Sequence, residues 1–102
     1  MHNSGLTERD IKTLQNIFRK HSEVERVTLF GSRAKGNYKP GSDIDLAIMN
    51  VGVSTGTINN IKGDFEESSL PYLVDLVYYP FLKHKEMKEH IVRVGIELYK
   101  KE

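Results

Sequence analysis

Phe30-Gly31-Ser32-Arg33-Ala34-Lys35-Gly36, followed after five residues by Ser42-Asp43-Ile44-Asp45-Leu46, is the stretch that decides how this chain is read. Val24 to Phe30 has the composition of a strand, with Val27, Leu29 and Phe30 as its apolar part. Gly31 stops it abruptly, and a short helix can begin at Ser32. Residues 31–42 are rich in Gly, Ser, Lys, Asn and Pro and read mostly as loop. Asp43 to Met49 reads as a second strand. In a strand successive side chains alternate between faces, so Asp43 and Asp45 share one face and Ile44 and Leu46 the other. The apolar pair enters a core, and the two carboxylates project together about 7 Å apart. Like charges held this close raise each other's pKa. A divalent cation reverses the penalty.

Outward from this centre, Tyr72 to Tyr79 reads as a third strand, introduced by Pro71 and closed by Pro80. Asp75 interrupts its apolar run, where an ionised carboxylate is costly unless paired. Alternation groups Asp75 with Leu73 and Val77, opposite Val74, Leu76 and Tyr78. If this strand neighbours the Asp43–Asp45 strand, three carboxylates converge. An all-oxygen donor set without Cys or His suits Mg²⁺, with Mn²⁺ possible. Gly31-Ser32 supplies backbone N–H groups at a helix start, a position that favours phosphate. Arg33 and Lys35 add positive charge. Arg33 is assigned to the phosphates of a nucleotide, with pairing to a local acid as the alternative.

The flanks supply helices. Thr7 reads as the N-cap of a helix with Glu8 and Asp10 in its first turn and a stripe of Ile11, Leu14, Ile17 and Phe18, ending near His21. Ile58 to Glu67 reads as a helix weakened by Asn59, Asn60 and Gly63. Lys83 to Val94 reads as another, with Met87, Ile91 and Val94 as its stripe and Gly95 at its end. Ile96 to Tyr99 fits a short strand or a further helical turn. Residues 1–6 read as a flexible tail. His21, His84 and His90 read as surface residues, and Tyr72, Tyr78 and Tyr79 as core or interface aromatics. The expectation is one α+β (α/β-like) domain over residues 1–102, a small mixed central sheet flanked by helices.

Composition narrows the function. The chain has 102 residues, enough for one core and too few for two. Its 15 Lys and Arg against 14 Asp and Glu leave a net charge of +1, which gives no general pull towards nucleic acid or an anionic membrane. With no cysteine, disulfides, thiolate zinc sites and thiol catalysis are excluded. No secretory signal or membrane-spanning run is apparent, so the cytoplasm is the expected compartment.

The combined motif resembles the signature of the polymerase-beta-like nucleotidyltransferase superfamily, and the short length resembles its minimal nucleotidyltransferase (MNT) branch. Leu70-Pro71-Tyr72-Leu73-Val74-Asp75-Leu76-Val77 is similar to the branch's third acidic strand. The resemblance covers Phe30 to Val77 and departs at Lys35, where the family often has Arg. It implies two Mg²⁺ ions and a nucleoside triphosphate, ATP in the first instance. By it Gly31 and Ser32 contact the triphosphate, Asp43 and Asp45 bind metal, and Asp75 completes a catalytic triad. Members of the branch are encoded beside helical HEPN-domain toxins and act as type VII-like antitoxins, transferring AMP to a tyrosine of the toxin. The expected assembly is a hetero-oligomer with such a partner. Two alternatives stand beside this one: a binding antitoxin or adaptor without catalysis, and the catalytic subunit of a small-molecule nucleotidyltransferase.

Overall fold

The computed structural model describes residues 4–102. Helix α1 (Glu8–Arg19) leads to strand β1 (Arg26–Phe30), which runs without a linker into the short helix α2 (Gly31–Lys35). Strand β2 (Ile44–Ile48), helix α3 (Thr55–Glu67) and strand β3 (Val74–Tyr78) follow. A single 3₁₀ turn (Tyr79–Phe81), helix α4 (Lys85–Val94) and strand β4 (Ile96–Lys100) complete the chain.

The four strands form one mixed sheet in the order β3-β2-β1-β4. β1 pairs antiparallel with both β2 and β4, while β2 and β3 are parallel. The parallel pair needs a crossover, and α3 provides it. The final segment, left open between strand and helix by its sequence, is therefore an edge strand. Its pairing slips between Val27 and Thr28 of β1, and both Leu98 and Tyr99 end up buried. A bulge of this kind breaks the strict alternation that would have marked the segment as a strand.

The two faces of the sheet differ. On one, α1 and α3 cover Val27, Leu29, Ile44, Leu46 and Ile48, all of which are fully buried. α1 contributes Leu14, Ile17 and Phe18, the stripe expected from their spacing. Its start is fixed by a reciprocal cap: Thr7 Oγ1 accepts from Asp10 N at 3.0 Å, and Asp10 Oδ2 accepts from Thr7 N at 3.1 Å. α3 begins three residues before Ile58, because the Ser54 hydroxyl accepts from Thr57 N and caps it. Ile61 and Phe65 then face inward, with the edge of Phe65 against the Phe18 ring. On the opposite face a smaller cluster joins Phe30 and Ala47 to Ile91 of α4.

Residues 4–6, expected as part of a loose tail, are packed. Ser4 is buried and its carbonyl accepts from the Arg33 side chain at 2.9 Å, while Leu6 packs against the core. Residues 1–3, the remainder of that tail, lie outside the described residues. No helix among the described residues is long and apolar enough to cross a membrane.

Gly95 joins α4 to β4 where helix and sheet are in contact. A Cβ there would lie 2.2 Å from Ile91 O and 2.4 Å from Thr28 Cγ2. Gly95→Ala is expected to cost about 1–3 kcal/mol through overpacking. Urea denaturation checks this, and a midpoint equal to that of the wild type would contradict the close approach.

Candidate active site

The site is built on a row across three strands. In the pairing register Phe30 of β1 lies opposite Asp45 of β2, and Asp45 opposite Asp75 of β3. Directly paired residues share a face, so the three side chains leave the sheet on one side. That side is the one under α4, away from the large core. Ile44 and Leu46, flanking Asp45 in sequence, are fully buried on the other side. The alternation that places them in the core therefore holds Asp45 up. Asp43 stands just before β2 and is exposed, as is Asp75.

The carboxylates sense one another. Burial pushes the Asp45 carboxyl above its ordinary pKa, and the nearby charges of Asp75 and Asp43 push it further in the same direction. Among the described residues no cation pairs with them. Among the described residues the ion pairs are Lys20 with Asp64 and His21 with Asp64, far from this row in the fold. The coupling does not amount to a closed cage, since among the described residues no three Asp, Glu or His side chains enclose a common centre. Asp43 and Asp75 lie at the surface, where their side chains have other rotamers open to them. Partly desolvated oxygen donors without a cationic partner are the donor set that a hard divalent ion takes.

Gly31 meets this row from the end of β1. Its φ of 73° lies in the left-handed region, and a Cβ would fall 2.2 Å from Asp45 Oδ2. Glycine is thus required twice, for the turn and for the approach of the carboxylate. The turn opens α2 directly, and no side chain caps its first N–H groups. Those donors and the partly exposed Ser32 stand beside Asp45, where a phosphate chain would meet both.

Arg33 does not join them, which corrects its assignment to the nucleotide. Only 2% of its surface is exposed. Nε and Nη2 donate to the Ser42 carbonyl at 3.1 and 2.9 Å, and Nη1 donates to Ser4 O. The guanidinium also lies over two rings, 5.1 Å from the centre of Tyr38 and 4.6 Å from that of Tyr72. The planar fork suits this use, since it satisfies two carbonyls while its faces stack on aromatics. Because Ser42 immediately precedes Asp43, Arg33 fixes the loop that delivers the first carboxylate.

The structure brings further residues beside these acids. A cleft of about 490 Å³ contains Asp45 and Asp75 over a floor of Phe30 and Val77. α4 forms its wall with Met87 and His90, and His84 and Glu86 stand at its mouth. The His90 ring meets Phe30 edge-on, with centroids 6.1 Å apart. Extending the α4 stripe of Met87, Ile91 and Val94 back by three residues reaches His84, the one sequence signal that pointed here. A larger cavity of about 630 Å³ opens between α1 and α3 on the opposite face, remote from these acids.

Comparison with known proteins agrees with this geometry. The family model described as polymerase beta, nucleotidyltransferase matches residues 12–102. A probable protein adenylyltransferase, MntA of Haemophilus influenzae, is 36% identical over 77 residues, which span 74% of this chain and 67% of that protein. A crystal structure of a toxin–antitoxin with AMP-PNP superposes with a TM-score of 0.73 at 20% identity, covering 91% of this chain and 75% of the matched one. The tri-AMPylated Shewanella oneidensis HEPN toxin in complex with MNT antitoxin gives a TM-score of 0.60 at 18% identity, over 89% and 73% of the two chains. At such identities the two structures establish a shared fold.

Two measurements test the site as built. Arg33→Lys keeps the charge but loses the fork and the stacking, and is expected to cost about 1–3 kcal/mol in urea denaturation; an unchanged midpoint would show that the buried guanidinium is dispensable. Asp45 provides a pH test. Its folded-state pKa is raised, so the native chain holds that proton to higher pH than the unfolded chain, and stability falls as pH rises through this interval. Asp45→Asn removes the loss. Without divalent ions it is expected to be more stable than the wild type at neutral pH, with the gain vanishing below about pH 4. A gain that persists at low pH would contradict the cause.

Proposed function

The chain belongs to the polymerase beta nucleotidyltransferase family, and we propose that it transfers AMP from ATP to a hydroxyl of a helical HEPN-domain partner, acting as the antitoxin of a toxin–antitoxin pair. The observation that carries this reading is the register that sets Asp45 beside Asp75, with Gly31 closed against the Asp45 carboxylate. The name of the Haemophilus influenzae relative, a probable protein adenylyltransferase, supports a protein acceptor. The toxin–antitoxin structures of like fold, one with AMP-PNP and one with an AMPylated HEPN toxin, support the nucleotide and the partner.

The chemistry assigns work to each residue. Gly31 and Ser32 receive the triphosphate at the uncapped start of α2. Asp43, Asp45 and Asp75 would hold two divalent ions, Mg²⁺ in the first instance. Bound there, such ions neutralise charge on the phosphates and lower the pKa of an attacking hydroxyl. The acceptor oxygen bonds to the α-phosphorus, the bridge to the β-phosphate breaks, and pyrophosphate leaves. Asp75, exposed on the neighbouring strand, accepts the hydroxyl proton. Asp45, the most enclosed of the three acids, is held by strand pairing on both sides and so fixes the site with little freedom.

The test is incubation with Mg²⁺, α-labelled ATP and a HEPN-domain partner protein. Label is expected on the partner with wild type. Asp43→Ala and Asp45→Ala are expected to reduce it to background while circular dichroism shows a retained fold. Inhibition of the partner without any label would instead establish a binding antitoxin, and labelling that survives both changes would remove the assigned ion site.

A further inference from the structure

The wall of the cleft carries the next step. α4 packs along β1 and beside α2: Ile91, beyond its middle, packs with Phe30 of β1, and Gly95 at its end meets Thr28 of the same strand. His84 and Met87, at its start, line the cleft together with Asp75 and Val77. Phosphates entering at Gly31 come from the opposite, β1 end of the carboxylate row. In phosphoryl transfer the attacking and leaving oxygens stand roughly in line. A leaving pyrophosphate at the Gly31 turn therefore directs the acceptor to the β3 side, beneath the first turn of α4.

His84 stands there with one ring nitrogen engaged. It is the N-cap of α4, and its Nδ1 accepts from Met87 N at 3.3 Å. A ring nitrogen that accepts carries no proton, so with Nδ1 accepting the ring hydrogen lies on Nε2. The cap thus fixes both the orientation of the ring and the tautomer, and leaves a single N–H donor. The ring lines the cleft that contains Asp45 and Asp75. We propose that His84 is an acceptor-positioning residue, whose Nε2–H donates to the oxygen of the incoming hydroxyl and turns the hydroxyl proton towards Asp75. One donor and one acceptor then define the orientation of the attacking O–H, with Met87 and Val77 offering apolar contact to the group that bears it. This inference rests on the reading of the site as one for transfer to a hydroxyl.

Capping and positioning can be separated, because asparagine is a better N-cap than histidine but too short to reach across the cleft. With the full chain, ATP and the HEPN-domain partner, His84→Asn is expected to retain or raise the urea midpoint and to leave the KM for ATP unchanged. Its kcat/KM for the acceptor protein is expected to fall by about tenfold, the worth of one oriented hydrogen bond. His84→Gln, which restores a donor with longer reach, is expected to recover most of the loss. Wild-type kcat/KM in His84→Asn, or equal losses in both variants, would overturn the role. A wild type that transfers nothing would overturn the underlying reading first, and is told apart by its silence before any substitution is made.

Discussion

The parallel pairing of β2 with β3 is the constraint on which the site depends. It puts Asp45 next to Asp75 and, through the antiparallel pairing on the other side, next to Phe30. Side chains in a strand alternate, so a slip of one residue in β3 would send Asp75 into the main core and lift Leu76 out of it. The apolar residues therefore police the register of the charged ones. Leu76, Ile44 and Leu46 are buried on the α1–α3 face, and their burial keeps the carboxylates together on the other. The two faces have divided tasks: one supplies cohesion through apolar area, and the other holds a charge cluster that opposes it.

Holding like charges together requires rigid surroundings, and the chain provides them by different means at each acid. Asp45 is gripped by backbone pairing on both sides and by the glycine turn closed over its carboxylate. Asp43, outside the strand, depends on the loop before it. Arg33 secures that loop by forking onto Ser42 O while its faces rest on Tyr38 and Tyr72. A charged side chain inside the protein is tolerable because its N–H groups meet carbonyls and its faces meet aromatic rings. The same guanidinium binds Ser4 O, so the segment ahead of α1 is tied to the support of the site. Asp75 is held in β3 by pairing with Asp45 while its side chain stays exposed.

The geometry also separates the two substrates of a transferase. In the proposed reading the nucleotide phosphates belong with the β1–α2 turn, and the acceptor with the cleft under the start of α4. This small domain has one open side at its carboxylates, and α4 covers only part of it. A partner protein approaching there would meet an apolar side chain as well as acids, since Met87 lines the cleft and is exposed on α4.

Much of this was legible in the sequence, because it is written in local periodicity and in residue chemistry. The stripe of Leu14, Ile17 and Phe18, the alternation of Asp43-Ile44-Asp45-Leu46 and the breaks at Gly31 and Pro80 each depend on neighbours a few residues apart. They identified the mixed α+β domain, the main strands and helices, and the acids that stand on one row. Tertiary structure decided the rest. Arg33 reads in sequence as a phosphate ligand, since nothing local shows that Ser4, Tyr38, Ser42 and Tyr72 surround it. His84 and His90 read as surface residues, and His84 is exposed, but only the packing of α4 sets both beside Asp45 and Asp75. The last strand was ambiguous because its bulge, set by pairing with β1, interrupts the two-residue period. The sequence alone thus determined which side chains alternate and which elements form. The fold decided which distant groups meet, because those contacts join residues separated by tens of positions and leave no trace in the local pattern.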